Sequence, residues 1–385
     1  MKSTSERSSA YLDYGATTPV MPEVVDEMLV YLREGFANPS GIYRQARDAR
    51  RAVDDARDVL AGEFGCASGE IVFTGGGTEA DNLAVLGIDL HEHARVVVSA
   101  IEHHGVLRPA ESIGATIAPV GRDGIIDLDV LAELLDETTE LVSVMAVNNE
   151  IGTIQPIGDV VSLVRSRAPR ALVHCDAVQA LAFCDVKSLT YGCDLVSYSA
   201  HKIGGPKGVG ALVVNERARA RLHPILRGGS QERDLRAGTE NVAGIAGFAV
   251  AARLTSERRG ETVQRVRSLR DRFADALISK IPGVHESVAR TLRHVGNAHL
   301  IFPGITNEEL LLLLDRYGVA ASAGSSCASG AIEPSHVLLA MGMMVDEARS
   351  CIRFTLGQDS SEDEIEYAIS SVIAAHRQIV ARDQR

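Results

Sequence analysis

Short runs of β-branched and other apolar residues recur along the first part of the chain, and each gives way to a polar or glycine-rich segment. We predict these runs as strands, at 71–73, 95–101, 141–147, 171–175 and 194–198. Between most of them the apolar positions repeat with helical spacing, as in 127–135 and 157–167. Strands that alternate with helices predict an α/β domain with a mostly parallel sheet.

The remainder of the chain has a different pattern. A long helical stretch at 241–281 is apolar at first and then charged, so we predict that it leads from the large domain into a second one. The predicted elements after it are a strand at 298–302, a helix at 307–317 capped by Thr306, a loop of small residues at 320–330, a helix near 335–341, a strand at 350–356 and a final helix that starts within 360–364.

We predict three parts: an N-terminal segment, 1–18, that packs with the small domain; a large domain, 19–255; and a small α+β domain, 256–385. With 45% hydrophobic and 23% charged residues, the chain can bury a sizeable core. The net charge of −12 argues against direct binding of nucleic acid or acidic membranes. Six separated cysteines, a polar start without a secretory signal and no apolar run of about 20 residues favour a cytoplasmic protein.

Polar or reactive side chains follow the predicted strands one after another. In open α/β sheets, ligands bind beyond the carboxyl ends of the strands, so these residues are expected to meet at one edge of the sheet. The segments that follow the strands are 74–79, 102–104, 148–150, Asp176 and 199–202.

Lys202 is the most informative of these residues, because lysine is scarce here: five of the 39 basic residues are lysines. Arginine stays protonated, whereas a lysine amine can act as a nucleophile and form a Schiff base. The alternative is a solvated surface lysine in a loop rich in glycine and proline.

Other residues point to a phosphorylated, charged ring as the partner of this lysine. Gly77 and Thr78 begin a predicted helix and resemble a phosphate cradle, although a plain helix start has the same pattern. Asp176 would need a cationic partner if it were buried, such as a pyridinium nitrogen; alternatively it caps a helix. His103 could stack on a planar cofactor and shuttle protons as a catalytic residue, whereas His104 is interpreted as a surface or capping residue. A phosphate site, a lysine and a strand-end aspartate together fit pyridoxal phosphate (PLP). No metal site is predicted.

Two residues in the second part are candidates for binding and chemistry on the substrate. Cys327 lies in the loop of small residues, where a thiol could reach a substrate. Arg353 is a lone cation in a strand-like segment, suited to bidentate binding of a carboxylate, or else to a buried structural ion pair.

With these residues the chain resembles the cysteine desulfurases of the NifS/IscS family, within the class-V aminotransferase group, from Tyr11 almost to the end. Tyr43 departs from the histidine that many relatives carry there, which bears on local packing or substrate entry. The motifs that carry the resemblance are 11–19, 38–40, 77–79, 102–103, 148–152, 176–179, 199–202, 236–239, the Cys327 loop with 333–335, and 352–354.

The resemblance implies an aspartate-aminotransferase-like PLP fold (fold type I) and a homodimer. Lys202 would bind PLP covalently, Asp176 would pair with its ring nitrogen, Gln179 with its ring hydroxyl, and His103 would stack on the ring. Its phosphate would be held by the cradle of Gly77 and Thr78, by Ser199 and His201, and by Thr239 of the second subunit.

The resemblance also implies the reaction. Asn149 and Arg353 would bind the carboxylate of L-cysteine, Lys202 would act as the base at Cα, and Cys327 would take the sulfur as a persulfide. Its sulfur would pass to an acceptor protein, for iron–sulfur cluster assembly or for DNA phosphorothioation. Selenocysteine lyase, another PLP lyase or aminotransferase, and a non-catalytic scaffold are the alternatives.

Overall fold

The computed structural model describes residues 9–324 and 334–383. Its strands, in chain order, are β1 (Ala10–Tyr11), β2 (Ile71–Thr74), β3 (Arg95–Ser99), β4 (Thr116–Ala118), β5 (Thr139–Ser143), β6 (Leu172–Asp176), β7 (Leu195–Ser199), β8 (Gly210–Val214), β9 (His285–Glu286), β10 (Asn297–Ile301), β11 (Val319–Ala320) and β12 (Cys351–Thr355). Its helices are α1 (Pro22–Arg33), α2 (Arg44–Phe64), α3 (Gly77–Leu86), α4 (His104–Ser112), α5 (Leu128–Leu134), α6 (Ile157–Arg167), α7 (Val186–Leu189), α8 (Glu216–Arg219), α9 (Val242–Lys280), α10 (Asn307–Arg316), α11 (His336–Ala340), α12 (Val345–Ala348) and α13 (Glu362–Asp383).

A seven-stranded sheet in the order β2-β8-β7-β6-β5-β3-β4 forms the centre of the large part. Strand β8 runs antiparallel to both of its neighbours, and the other pairings in this sheet are parallel. The prediction of an α/β fold with a mostly parallel sheet is therefore confirmed. Parallel sheets are covered on both faces, and here α2, α6 and the start of α9 pack on one face while α3 and α4 pack on the other.

A second core lies beyond the middle of α9. The antiparallel sheet β12-β10-β9 packs against the second half of α9, α10 and α13, around Phe273, Phe302 and Phe354. Strand β1 pairs with β11, which brings Leu12 into the same core. Buried residues of α9 up to Leu254 belong to the first core and those from Val266 to the second. The domain boundaries at residues 18 and 255 stay a prediction.

Two predicted strand ends were wrong. The strand expected at 141–147 ends at Ser143, and the strand expected at 95–101 ends at Ser99. Beyond Ser143 the chain leaves β3 but still bonds to β6, with the N–H groups of Val144 and Ala146 donating to backbone carbonyls there. The apolar character of this segment therefore reports its burial rather than a continuing strand.

Long α9 matches its prediction to within one residue at each end, and Thr306 caps α10 as predicted by accepting from the Glu309 N–H at 3.4 Å.

Within the described ranges, no helix combines the length and the hydropathy that crossing a membrane requires.

Candidate active site

A cleft opens where the carboxyl ends of β2, β3, β5, β6 and β7 meet the second core. Its empty volume is about 1130 Å³, including the part open to solvent. The predicted residues that line it are Gly77, Thr78, His103, Asn149, Asp176, Gln179, Ser199, His201, Lys202 and Arg353. Thr239 is exposed elsewhere on the surface, and Cys327 lies outside the described residues.

Lys202 ends a short 3₁₀ turn directly after β7, which places its side chain in the cleft. Its Nζ donates to the backbone oxygens of Gly15 at 2.6 Å and Ala16 at 2.9 Å. Burial and, to a smaller extent, the positive charge of Arg353 lower the pKa of Lys202 to about 8. An amine with this pKa is partly neutral near pH 7, as a nucleophile must be, and the alternative of a solvated surface lysine does not describe it.

Asp176 is the last residue of β6 and is 4% exposed. No helix begins after it; instead its Oδ1 accepts from the Val178 N–H at 2.9 Å. The pKa of Asp176 is raised to about 6, because the effect of burial exceeds the lowering effects of the Val178 hydrogen bond and the Lys202 charge. A buried carboxylate of this kind calls for a cation in front of it, which the ring nitrogen of PLP would provide.

His103 caps α4, because its Nδ1 accepts from the Gly105 N–H at 3.0 Å. The capping role that we assigned to His104 therefore belongs to His103, whose ring still lines the cleft. Burial lowers the pKa of His103 to about 4, with Lys202 adding to the effect, so the ring is neutral near pH 7. Gln179 also lines the cleft, and its Nε2 donates to the Gly15 oxygen at 2.9 Å.

The start of α3 has the features expected of a phosphate cradle. No side chain caps this helix, so its first N–H groups are available to an anion. A Cβ atom at Gly77 would lie 2.7 Å from Cγ2 of Val178, which explains the need for glycine. Thr78, Ser199 and His201 line the same space. Burial lowers the pKa of His201 to about 4, so it is a neutral hydrogen-bonding group here.

Arg353 joins the second core to the cleft and is 2% exposed. Its Nη1 donates to the backbone oxygen of Asn149 at 2.8 Å, and its Nη2 donates to Oδ1 of Asp13 at 2.7 Å. Nε is buried and has no partner within the described ranges. Arg353 therefore forms a structural ion pair and also keeps N–H groups for a ligand, so the two interpretations of this residue do not exclude each other.

Several residues of the cleft had no clear signal in the sequence. Asp81 and His336 line it, and Asp13 holds Arg353 from the N-terminal segment. Asp81 sits on a helix and His336 begins another, so neither follows a predicted strand. Asp13 lies within the motif 11–19, which carried the family resemblance but gave no role for this side chain.

The residues present fit PLP: an uncapped helix start that requires glycine, a buried aspartate with no ion pair among the described residues, and a half-buried lysine held by backbone oxygens. The fold and this set of groups define the class as PLP-dependent enzymes of fold type I. The chain belongs to the class-V aminotransferase family, whose profile matches residues 10–368.

Curated relatives narrow the family further. The chain is 40% identical to "Cysteine desulfurase IscS" of Dictyoglomus turgidum, over 94% of this chain and 93% of the relative. It is 41% identical to "Putative cysteine desulfurase IscS 1" of Bacillus subtilis, over 94% of this chain and 97% of the relative.

Comparison with solved structures agrees with the comparison of sequences. A "NifS-like protein" superposes with a TM-score of 0.88 at 32% identity, covering 97% of this chain and 99% of that one. "SspA in complex with cysteine" has a TM-score of 0.80 at 30% identity, covering 92% and 100%. DndA from Streptomyces lividans has a TM-score of 0.74 at 32% identity, covering 88% and 97%.

Proposed function

We propose that the protein is a cysteine desulfurase, which takes the sulfur from L-cysteine and releases L-alanine. The observation that carries this proposal is the position of the residues on either side of the segment that contains Cys327. Gly324 and His336 both line the cleft that holds Lys202 and Arg353. Cys327, three positions after Gly324 in the sequence, is the cysteine that we assign to accept the sulfur of a substrate in this cleft.

The cleft residues have distinct parts in holding the cofactor. Lys202 would bind it covalently, Asp176 would face its ring nitrogen, Gln179 its ring hydroxyl, and His103 would cover the ring. Its phosphate would be held by the start of α3 at Gly77 and Thr78, by Ser199 and His201, and by Thr239 of a second copy in a homodimer. When bound, PLP would supply an acceptor for the electrons released at Cα.

The remaining steps belong to side chains of this chain. Arg353 and Asn149 would bind the carboxylate of cysteine and fix its orientation. Lys202, once the substrate has displaced it, would take the proton from Cα and return it to the alanine that forms. The Cys327 thiolate would attack the substrate sulfur as the Cβ–S bond of the substrate breaks. The electron pair of that bond would stay with the carbon fragment, which takes up a proton to become alanine, and Cys327 would be left as a persulfide.

Sulfur would then pass to an acceptor protein in the cytoplasm. Iron–sulfur cluster assembly and DNA phosphorothioation both stay open as its destination. Because the chain carries a net charge of −12, any role at a nucleic acid would run through that acceptor rather than through direct contact.

The test is turnover of L-cysteine by the PLP-loaded protein with a dithiol reductant. We expect alanine and sulfide in equal amounts, and, without the reductant, one additional sulfur atom on Cys327 by mass spectrometry. Pyruvate with ammonia, or a keto acid with transfer of the amino group, would instead assign a different PLP reaction. Parallel assays with selenocysteine distinguish a selenocysteine lyase, and D-cysteine serves as the stereochemical control.

Arg353→Lys is expected to raise KM for L-cysteine by about 10- to 100-fold, because a hydrogen bond to a charged group contributes about 1.5–3 kcal/mol. Lysine keeps the charge but cannot bind Asp13, the Asn149 oxygen and a carboxylate together. Steady-state kinetics at saturating PLP measure the effect. Arg272→Lys, at a surface ion pair with Glu366, is the matched control, and an unchanged KM in Arg353→Lys would contradict the assignment.

A further inference from the structure

Two further carboxyl groups, which the proposed reaction does not use, are buried close to Asp176. Asp81 on α3 is 1% exposed, and Glu102, just after β3, is 0% exposed. The charge of Asp176 raises the pKa of both. Three carboxyl groups thus share one buried region, and two of them, Asp81 and Asp176, line the cleft proposed for the cofactor.

The hydrogen bonds of these two groups are incomplete for a charged carboxylate. Oε1 of Glu102 accepts from the Met145 N–H at 2.6 Å, but Oε2 is buried without a partner among the residues described. Oδ1 of Asp81 is likewise buried without a partner. An ionised carboxylate with such an oxygen is costly, whereas a carboxylic acid needs fewer partners.

His174 is the nearest basic side chain, with Nε2 3.7 Å from Oδ1 of Asp81, but it does not provide a positive charge. Its ring lies between the hydroxyls of Ser143 at 2.8 Å and Ser197 at 3.0 Å. Burial lowers the pKa of His174 to about 3, so the ring is neutral. The Ser197 hydroxyl lowers the pKa of Asp81, but burial, Asp176 and Glu102 raise it well above its usual range.

Asp176 differs from the other two. It receives the Val178 N–H and faces Lys202, whose charge lowers its pKa. For Glu102, burial and the charge of Asp176 raise the pKa well above its usual range, against the single hydrogen bond from Met145. These differences favour ionisation of Asp176 over ionisation of Asp81 or Glu102.

We propose that Asp81 and Glu102 are neutral carboxylic acids, and that they act as positioning residues which keep Asp176 the single ionised carboxylate facing the cofactor. If either were ionised, repulsion would favour protonation of Asp176 and remove the charge that pairs with the ring nitrogen. This inference rests on the proposed function, in which the ring nitrogen of PLP faces Asp176.

Infrared difference spectra of the PLP-loaded protein near pH 7 test the proposal. Glu102→Gln and Asp81→Asn should each remove one C=O absorption of a protonated carboxyl group and leave the carboxylate bands intact. Glu23→Gln, at an exposed ion pair with Arg258, is the control and should remove a carboxylate band. Loss of a carboxylate band in either buried variant would overturn the proposal, and if one variant does not fold, the other decides.

Binding of PLP provides the functional readout. Glu102→Gln keeps an acceptor for the Met145 N–H, so its Kd for PLP and the pH dependence of the cofactor absorbance should stay within about twofold of the wild-type values. Glu102→Asp shortens the side chain but keeps the acid, and it should weaken PLP binding more than Glu102→Gln does. The reverse order would contradict a neutral Glu102. Neither measurement requires turnover of cysteine. A failure of this inference can therefore be distinguished from a failure of the proposed desulfurase activity.

Discussion

Cys327→Ser is expected to lower the release of sulfide and alanine from L-cysteine on the order of 10³-fold or more, as is typical when an enzyme loses its nucleophile. A serine hydroxyl is far less nucleophilic than a thiolate and cannot form a persulfide. Turnover assays measure the loss, and mass spectrometry should find no additional sulfur on the variant. PLP absorbance should be retained, because Cys327 has no proposed role in binding the cofactor.

Cys66→Ser and Cys184→Ser are the matched controls, because both thiols are half-buried and lie outside the cleft. Burial raises the pKa of Cys66 to about 12 and that of Cys184 to about 11, so neither is a thiolate near pH 7. Both controls should turn over cysteine. Wild-type rates in Cys327→Ser would show that another group accepts the sulfur.

Lys202→Ala is expected to abolish covalent retention of PLP and to lower turnover by at least about 10²–10⁴-fold, the usual contribution of a general base alone. Lys202→Arg should be equally inactive, because a guanidinium stays protonated and is no amine nucleophile. The expected losses of PLP retention and of turnover follow from the position of Lys202 in the cleft and from its lowered pKa of about 8. Visible absorbance after gel filtration and cysteine turnover are the two measurements.

Lys187→Ala is the control for Lys202, since this exposed lysine lies on α7, outside the cleft. It should keep both PLP and activity. Thermal unfolding of the PLP-free proteins checks the fold, because Lys202→Ala also removes the Nζ hydrogen bonds to the oxygens of Gly15 and Ala16. A coloured and active Lys202→Ala protein would refute the assignment of the covalent anchor.

Much of the fold could be predicted from the sequence, because hydrophobic periodicity reports burial. Helices α6 and α9 lie where their patterns indicated, as do strands β6, β7 and β12 to within two residues. The errors arose where burial and secondary structure separate, as at Val144–Val147, which is buried but outside β5. Neither the antiparallel direction of β8 nor its place between β2 and β7 has a signal in local periodicity.

The chain by itself determined which reactive groups follow the strands, because strand ends and glycine-rich starts are local properties of the sequence. Lys202, Asp176, His103 and Thr78 were found in this way. The tertiary structure decided their environment: the lowered pKa of Lys202, the pairing of Arg353 with Asp13 across 340 positions, and the burial of Asp81 and Glu102 near Asp176. Such properties depend on burial and on contacts between distant segments, and these arise only when the sheet and the second core come together.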